Sequence, residues 1–173
     1  SIWRESLFAY YNYLADALLH GQLHLRNMPI RRLDLSLYQG RYYLYWGPLP
    51  AVLLTPLIAL FGVHFSDIFF TLLIGAGNVG LIAVLLRRAC REGIISLAPV
   101  QRGLLALFFA FGTVHVMLAP YGRIWFTSQL IAFACVVLAY LAVLTQRGWP
   151  AFALAGLALA GALLTRNNLV LAG

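Results

Sequence analysis

The sequence has few charged residues for its length and no lysine at all. Charged residues make up 10% of the 173 residues, against roughly 25% in an ordinary soluble domain. Hydrophobic residues make up 62%, so a soluble fold of this size would have too little charge to cover its surface. The scarcity of charge excludes an ordinary soluble domain and favours an integral membrane protein.

Cysteine is also scarce. Cys90 lies among arginines and Cys135 lies in an apolar run, a spacing that indicates neither a disulfide nor a zinc site. The net charge of +7 comes from twelve arginines against five acids. These arginines flank apolar segments and form no basic stripe, which excludes nucleic acid as a partner. We expect most of them to anchor the chain to membrane lipids, and a few to bind a phosphate.

Apolar segments divide the chain into three parts. Residues 1–47 are polar and predict a loop with an amphipathic helix over residues 2–25. Residues 48–64 predict a juxtamembrane helix, because the apolar part, 49–62, would be ~21 Å long, short of the ~30 Å core of a bilayer. Residues 65–173 predict a transmembrane bundle with spans at about 65–86, 103–119, 129–145 and 149–164. Because the chain begins without Met and stops inside an apolar run, we expect truncation at both ends.

The arginines also predict an orientation. Four arginines follow the first long span, at residues 87, 88, 91 and 102, and Arg147 follows the third span. The loop between the second and third spans carries only Arg123. The positive-inside rule therefore places Arg123 outside the cell. Residues 1–47 lie on the same side as Arg123 only if the short segment 49–62 does not span, and charge alone leaves both topologies open.

Residues 75–80 match the G-x-G-x-x-G dinucleotide pattern as Gly-Ala-Gly-Asn-Val-Gly. That fingerprint requires a strand before it and a helix after it, whereas here it lies within an apolar run of spanning length. The segment predicts close helix packing through small residues, with Asn78 as a hydrogen-bonding side chain.

The polar region contains the candidate chemical groups. Asn12, Asp16, His20 and His24 recur every four residues and predict one polar stripe, either the wet side of an interfacial helix or a metal site. Asp34 lies among aromatic residues and arginines, where a carboxylate acts as a general base or pairs with an arginine in a turn. Glu5, beside Arg4, has the same two interpretations.

Arg166 follows an apolar run, Gly161-Ala-Leu-Leu-Thr-Arg166. A cation at this depth is costly unless it reaches water, headgroups or a bound anion. We expect it either to extend to the headgroups or to contact a phosphate.

Several segments, taken in order, resemble the GT-C superfamily of membrane glycosyltransferases, closest to the bacterial protein-mannosyltransferase and aminoarabinose-transferase types. They are YLADALLHGQL at 13–23, Asp34 followed by GRYY at 40–43, GPLPAVLL at 47–54, LFG at 60–62 and GLALAGALLTR at 156–166. Each is short, and the resemblance lies in their order.

The resemblance implies an all-α polytopic protein of the cytoplasmic membrane, with a span before Ser1. Residues 1–47 would be the first extracytoplasmic loop and 49–62 a juxtamembrane helix. It implies transfer of a sugar from a polyprenyl-phosphate donor to an acceptor at the outer face, without a cofactor; the acceptor and any need for a divalent metal stay open. A non-catalytic transporter or flippase subunit is the alternative.

The resemblance also implies roles for individual residues. Family members carry an acidic pair where this sequence has only Glu5. The catalytic base would therefore be Glu5, Asp34 or an Asp that precedes Ser1. Arg41, Arg123 and Arg166 would meet the phosphate charge. The remaining substrate-binding candidates are Asp16, His20, Tyr42, Tyr43 and Trp46.

Overall fold

A computed structural model describes residues 2–166, and within them the chain is mostly helical, with seven helices and one two-stranded sheet. Residues 1 and 167–173, which belong to the predicted loop and bundle, lie outside the described part. The elements in chain order are α1 Tyr10–Leu19, β1 Leu35–Tyr38, β2 Arg41–Leu44, α2 Leu49–Phe61, α3 Asp67–Arg91, α4 Pro99–Gly112, α5 His115–Leu118, α6 Ile124–Thr145 and α7 Trp149–Leu163.

Two helices, α3 and α6, are long and apolar enough to cross a membrane. The helices α2, α4 and α7 are apolar but shorter. Where a single span was predicted at 103–119, the chain breaks at Thr113, whose backbone is extended. The Thr113 hydroxyl donates to the Phe109 carbonyl at 2.7 Å and accepts from the His115 N–H at 3.2 Å. One side chain thus ends α4 and begins α5.

The amphipathic helix predicted over residues 2–25 is much shorter in the structure. It begins at Tyr10, because the backbone before it makes hydrogen bonds with the start of α3 and not within a helix. The Ser6 N–H and hydroxyl donate to the two carboxylate oxygens of Asp67 at 2.7 and 2.6 Å. It ends at Leu19, close before Gly21 with its positive φ of 70°. The predicted polar stripe is also broken, because Asn12 is fully buried and donates to the Val63 and Phe65 carbonyls.

The all-α prediction is wrong for residues 35–44, which form an antiparallel hairpin. Leu35 pairs with Leu44 and Tyr38 with Arg41. The turn residues Gln39 and Gly40 both have positive φ, at 49° and 74°, as a two-residue hairpin turn of type I′ requires. Leu35 and Leu44 pack on the core formed by α1 and α2, which holds the hairpin against the body of the protein.

The helices α3 and α6 are joined by polar contacts along their length. The Asn78 amide donates to the Leu130 carbonyl at 2.9 Å, and the Thr71 and Thr127 hydroxyls lie 2.8 Å apart. The packing role predicted for Asn78 is confirmed. Gly75 also packs closely, with His115 bonded to its carbonyl, whereas Gly77 and Gly80 face open space.

The polar N-terminal region lies at one end of this helix assembly. The Ser6 hydroxyl lies 2.9 Å from the Gly122 carbonyl, just before α6, and the Leu49 N–H donates to the Leu164 carbonyl, just after α7, at 3.1 Å. At the opposite end, Arg88 donates to the Leu144 carbonyl. Residues 2–48 therefore lie at the end that carries Arg123 and Arg166.

Much of the outer surface is apolar. On α4, Leu104, Phe108 and Phe111 are 61%, 65% and 72% exposed, and on α7 Phe152 and Leu157 are 74% and 71% exposed. Soluble monomers seldom expose contiguous apolar faces of this kind. Together with α3 and α6, these faces support association with a membrane.

Candidate active site

Asp34 is a buried carboxylate in which one oxygen accepts a hydrogen bond and the other has no hydrogen-bond partner. Its side chain is 7% exposed. The Tyr45 hydroxyl donates to Oδ1 at 2.7 Å, whereas Oδ2 is buried without a hydrogen-bond partner. Burying an ionisable oxygen without a partner is costly. Asp16 Oδ2 is also buried without a partner, but Asp16 has an arginine beside its other oxygen and Asp34 does not.

Three aromatic side chains surround this carboxylate. Trp46 stacks on Tyr45 with ring centres 6.0 Å apart. The hydrogen bond to the Asp34 carboxylate raises the pKa of Tyr45, burial raises it further, and a hydrogen bond from Trp46 to the same hydroxyl opposes the rise. The Tyr10 hydroxyl lies by the backbone of Leu33 and Asp34, whose hydrogen bonds oppose the rise that burial causes in the pKa of Tyr10. We call Tyr10, Asp34, Tyr45 and Trp46 the Asp34 cluster.

Arg166 lies at the edge of the Asp34 cluster. Its guanidinium carbon is 5.8 Å from the centre of the Trp46 ring, within the range of a cation–π contact. The contact depends on Gly47, where a Cβ atom would lie only 2.1 Å from the Leu164 carbonyl oxygen. The absence of a side chain at residue 47 lets the strand-to-helix connection approach the end of α7.

Tyr11 connects the cluster to α6. Its hydroxyl lies 2.6 Å from the Ser128 hydroxyl. Burial raises the pKa of Tyr11; the Ser128 hydrogen bond and the charge of Arg166 oppose this rise, and the charge of Asp34 adds to it. The Tyr11 hydroxyl therefore lies within the electrostatic reach of both the candidate base and the candidate phosphate-binding cation.

Glu5 has a separate set of partners. Its Oε1 lies 2.8 Å from His64 Nδ1, and its Oε2 accepts from the Tyr13 hydroxyl at 3.4 Å. Burial raises the pKa of Tyr13, and the Glu5 carboxylate raises it further. Both oxygens of Glu5 are thus engaged, unlike those of Asp34.

The structure separates the predicted groove residues of the hairpin. Side chains alternate across strands, so Tyr42 and Tyr43 point to opposite faces. Tyr43 contacts Tyr38 and His24, whereas Arg32 lies over the Tyr42 ring at 5.6 Å. Arg41 is exposed at the start of β2. Of the predicted substrate-binding residues, Trp46 belongs to the Asp34 cluster and Arg166 lies at its edge. Arg41, Tyr42 and Tyr43 do not belong to it.

Arg123 is exposed and contacts three aromatic rings. Its guanidinium carbon lies 5.6 Å from the ring centres of Phe8 and Tyr121 and 6.0 Å from that of Phe126. No acid pairs with it in the described residues. The rings fix the guanidinium at the end of the helices where the Asp34 cluster lies.

Asp16 and His20 form a separate polar group with Arg26. Arg26 Nη1 lies 3.4 Å from Asp16 Oδ1, and His20 Nδ1 lies 2.8 Å from the Asp16 carbonyl oxygen. Across residues 2–166, no three His, Cys, Asp or Glu side chains come together as metal ligands. The chemistry that this group shows is an ion pair at the end of α1.

Sequence reasoning missed Tyr10 and Tyr45 as members of the site, and Asp67 as a binding partner of the N-terminal segment. Tyr45 lies in the aromatic run after Arg41, which was the one signal available for it. Tyr10 and Asp67 carry no local signal, because their partners lie far away in the sequence. Compared with known protein families, curated proteins and solved structures, the chain matches none.

Proposed function

We propose that this chain acts as a multi-pass glycosyltransferase of the cytoplasmic membrane, which transfers a sugar from a polyprenyl-phosphate donor to an acceptor at the outer face. The observation that carries the proposal is the free Oδ2 of the buried Asp34, with the Arg166 guanidinium on the neighbouring Trp46 ring. A base and a phosphate-binding cation in one cluster are the two groups that this transfer requires. The ordered resemblance to membrane glycosyltransferases supplies the reaction class.

The proposed reaction is a direct displacement. Asp34 Oδ2 accepts the proton of the acceptor as the acceptor atom bonds to the anomeric carbon. The bond between that carbon and the phosphate oxygen breaks, and polyprenyl phosphate leaves. Arg166, with Arg123 at the same end of the helices, stabilises the negative charge that develops on the leaving phosphate. Tyr45 holds Oδ1, so that Oδ2 is the oxygen turned to the acceptor.

Asp34 suits the role of base better than Glu5 does. The Glu5 carboxylate is paired with His64 and contacted by Tyr13, so it has a structural role between the N-terminal segment and the start of α3. Asp34 has one unpartnered oxygen and no cation bonded to it among the described residues.

Transfer assays on the full-length protein test the proposal. With a polyprenyl-phosphate sugar as donor, we expect Asp34→Asn to lower turnover by about 10²–10⁴-fold, the usual contribution of a general base. Glu5→Gln should retain most of the activity, and Glu92→Gln, whose carboxylate pairs with Arg88 at the opposite end, is the matched control. Unchanged turnover in Asp34→Asn would remove Asp34 from the base role. Substrate or lipid translocation by reconstituted protein without any sugar transfer would favour the transporter or flippase alternative.

A further inference from the structure

The Ser6 hydroxyl makes more hydrogen-bond contacts than its one proton can serve. Its oxygen accepts from the Phe8 N–H at 3.1 Å and lies 2.6 Å from Asp67 Oδ2 and 2.9 Å from the Gly122 carbonyl oxygen. The last two atoms are both acceptors while Asp67 is ionised, and a serine hydroxyl has a single proton to donate. With an ionised Asp67, one of these two contacts would therefore bring lone pairs together without a proton between them.

A proton on Asp67 removes this conflict. The acid then donates through Oδ2 to Ser6 Oγ, and the Ser6 hydroxyl donates to the Gly122 carbonyl oxygen. The Phe8 N–H occupies the remaining lone pair of Ser6 Oγ. The Ser6 N–H, 2.7 Å from Asp67 Oδ1, fits the same arrangement. Each of the four contacts then has a proton of its own.

The surroundings of Asp67 also favour the neutral acid. Its side chain is almost fully buried, and among residues 2–166 no arginine or histidine lies within ion-pair distance of it. A buried carboxylate without a cation is costly to keep ionised. The other charged or titratable side chains on the elements that meet here are Arg4 and Glu5 of the N-terminal segment, Tyr13 of α1, His64 before α3, His115 of α5, and Tyr121 and Arg123 before α6.

The contacts of Ser6 reach Arg123 by two routes. Gly122 directly precedes Arg123, and a Cβ atom at Gly122 would lie 2.7 Å from the Ile68 backbone nitrogen, so this turn packs against the start of α3. Phe8, whose N–H donates to Ser6, has its ring centre 5.6 Å from the Arg123 guanidinium carbon. The position of the guanidinium therefore depends on both segments that Ser6 joins.

We propose that Asp67 carries a proton and is a positioning residue for Arg123. The acid donates to Ser6, and the Ser6 hydroxyl donates in turn to the Gly122 carbonyl oxygen; we call these three residues the Asp67 relay. The first N–H groups of α3 favour a negative charge at the same place, so the proton can leave to solvent as the pH rises. Ser6 then donates to the ionised acid, the contact with Gly122 opens, and Arg123 is no longer fixed. The phosphate-binding role of Arg123 rests on the proposed function, whereas the relay does not.

Infrared difference spectroscopy on the full-length protein in detergent tests for the proton directly, because a protonated carboxyl group has a carbonyl band that a carboxylate lacks. We expect Asp67→Asn to remove part of this band, and that part should disappear from the wild-type spectrum as the pH is raised. Glu92→Gln, at the opposite end of the helices, is the matched control, and Asp34→Asn measures the contribution of the other buried acid. A band that Asp67→Asn leaves unchanged at every pH would overturn the proposal.

A distance measurement tests the mechanical part of the relay without any substrate. Spin labels on Leu7→Cys and Met117→Cys, two exposed positions, report in a cysteine-free background how the N-terminal segment sits against α5. We expect Ser6→Ala to broaden the distance distribution and Ser6→Thr, which keeps the hydroxyl, to preserve it. The amide of Asp67→Asn donates as the protonated acid does, so this variant should keep the wild-type distribution at every pH, whereas wild type should broaden as the pH rises. The pH series needs no variant at Ser6, so it decides the question even if Ser6→Ala is unstable.

Sugar transfer separates this inference from the proposed function. With a polyprenyl-phosphate sugar as donor, Ser6→Ala should raise the donor KM by about fivefold, the effect of one neutral hydrogen bond, with little change in kcat. The wild-type KM should also rise with pH relative to that of Asp67→Asn, a ratio in which the titration of the donor cancels. Transfer with a donor KM that depends on neither change would refute the positioning role and leave the proposed function standing. The expected band and distances without any transfer would refute the proposed function and leave the relay standing.

Discussion

Gly47→Ala tests the close approach that joins the connection before α2 to the end of α7. The added Cβ would lie 2.1 Å from the Leu164 carbonyl oxygen and 2.8 Å from the Thr165 carbonyl carbon. These are backbone atoms that no rotamer change can move, so the two segments must separate by more than an ångström. The Leu49–Leu164 hydrogen bond, now 3.1 Å, would break, and Trp46 would move away from Arg166.

The expected cost adds two effects. Losing the hydrogen bond costs about 1 kcal/mol, and forcing a methyl group into a filled contact costs about 1–3 kcal/mol. A destabilisation of about 2–4 kcal/mol lowers the thermal midpoint by about 5–15 °C for a domain of this size. Thermal unfolding of the full-length protein in detergent, followed by tryptophan fluorescence, measures this shift.

Gly156→Ala is the matched control for this substitution. Gly156 lies inside α7, and a Cβ there meets nothing within 4 Å. Because alanine favours a helix by about 1 kcal/mol over glycine, the midpoint should stay the same or rise. A Gly47→Ala protein that unfolds at the wild-type midpoint would refute the close contact between residues 47 and 164, and with it the placement of Arg166 beside the Asp34 cluster.

Two further predictions concern pH and topology. Because folding raises the pKa of Tyr45 above its ordinary value of 10.0, the folded state disfavours the phenolate. That contribution to stability is complete below pH 10 and is lost as the pH rises through the folded pKa. In alkaline unfolding, Tyr45→Phe should therefore lose less stability above pH 10 than wild type, with Tyr43→Phe as control, and an unchanged slope would contradict the Tyr45–Asp34 bond. For topology, we expect cysteines at exposed His20 and Ser36, in a Cys90→Ala/Cys135→Ala background, to react with an impermeant maleimide in intact cells. A cysteine at Ser96, after the far end of α3, should react only after permeabilisation. The opposite pattern would put the Asp34 cluster in the cytoplasm and exclude the proposed reaction.

The sequence predicts the long apolar helices well. The predicted spans at 65–86, 129–145 and 149–164 correspond to the helices Asp67–Arg91, Ile124–Thr145 and Trp149–Leu163, and the segment 49–62 to Leu49–Phe61. These elements depend on local signals, namely apolar length and bounding glycine and proline residues.

Elements that depend on distant contacts are predicted poorly. Residues 2–8 are not helical, because the Ser6 N–H donates to the Asp67 carboxylate. No feature of the sequence near Ser6 indicates a partner 61 residues away. The hairpin is not predicted, because two strands of four residues each give little periodicity.

The candidate site divides in the same way. Asp34, Trp46 and Arg166 were named from the sequence, because an acid among aromatics and a cation after an apolar run are visible locally. Their convergence was not visible, because it depends on the contact between Gly47 and the end of α7. Tyr42 and Tyr43 look equivalent in the sequence, and only the strand assignment shows that they face opposite sides.

The bonds between Ser6 and Asp67 have a consequence for how this region can vary. They bring together the two ends of residues 7–66, and Tyr11 and Leu49 bond the same segment to α6 and to the end of α7. Once the ends of a loop are fixed, doubling its length costs only about 0.6 kcal/mol. The hairpin and its neighbouring turns can therefore lengthen or shorten with little effect on the stability of α3, α6 and α7. Since three of the four residues of the Asp34 cluster lie after Leu33, the cluster can change there while the long apolar helices keep their sequence.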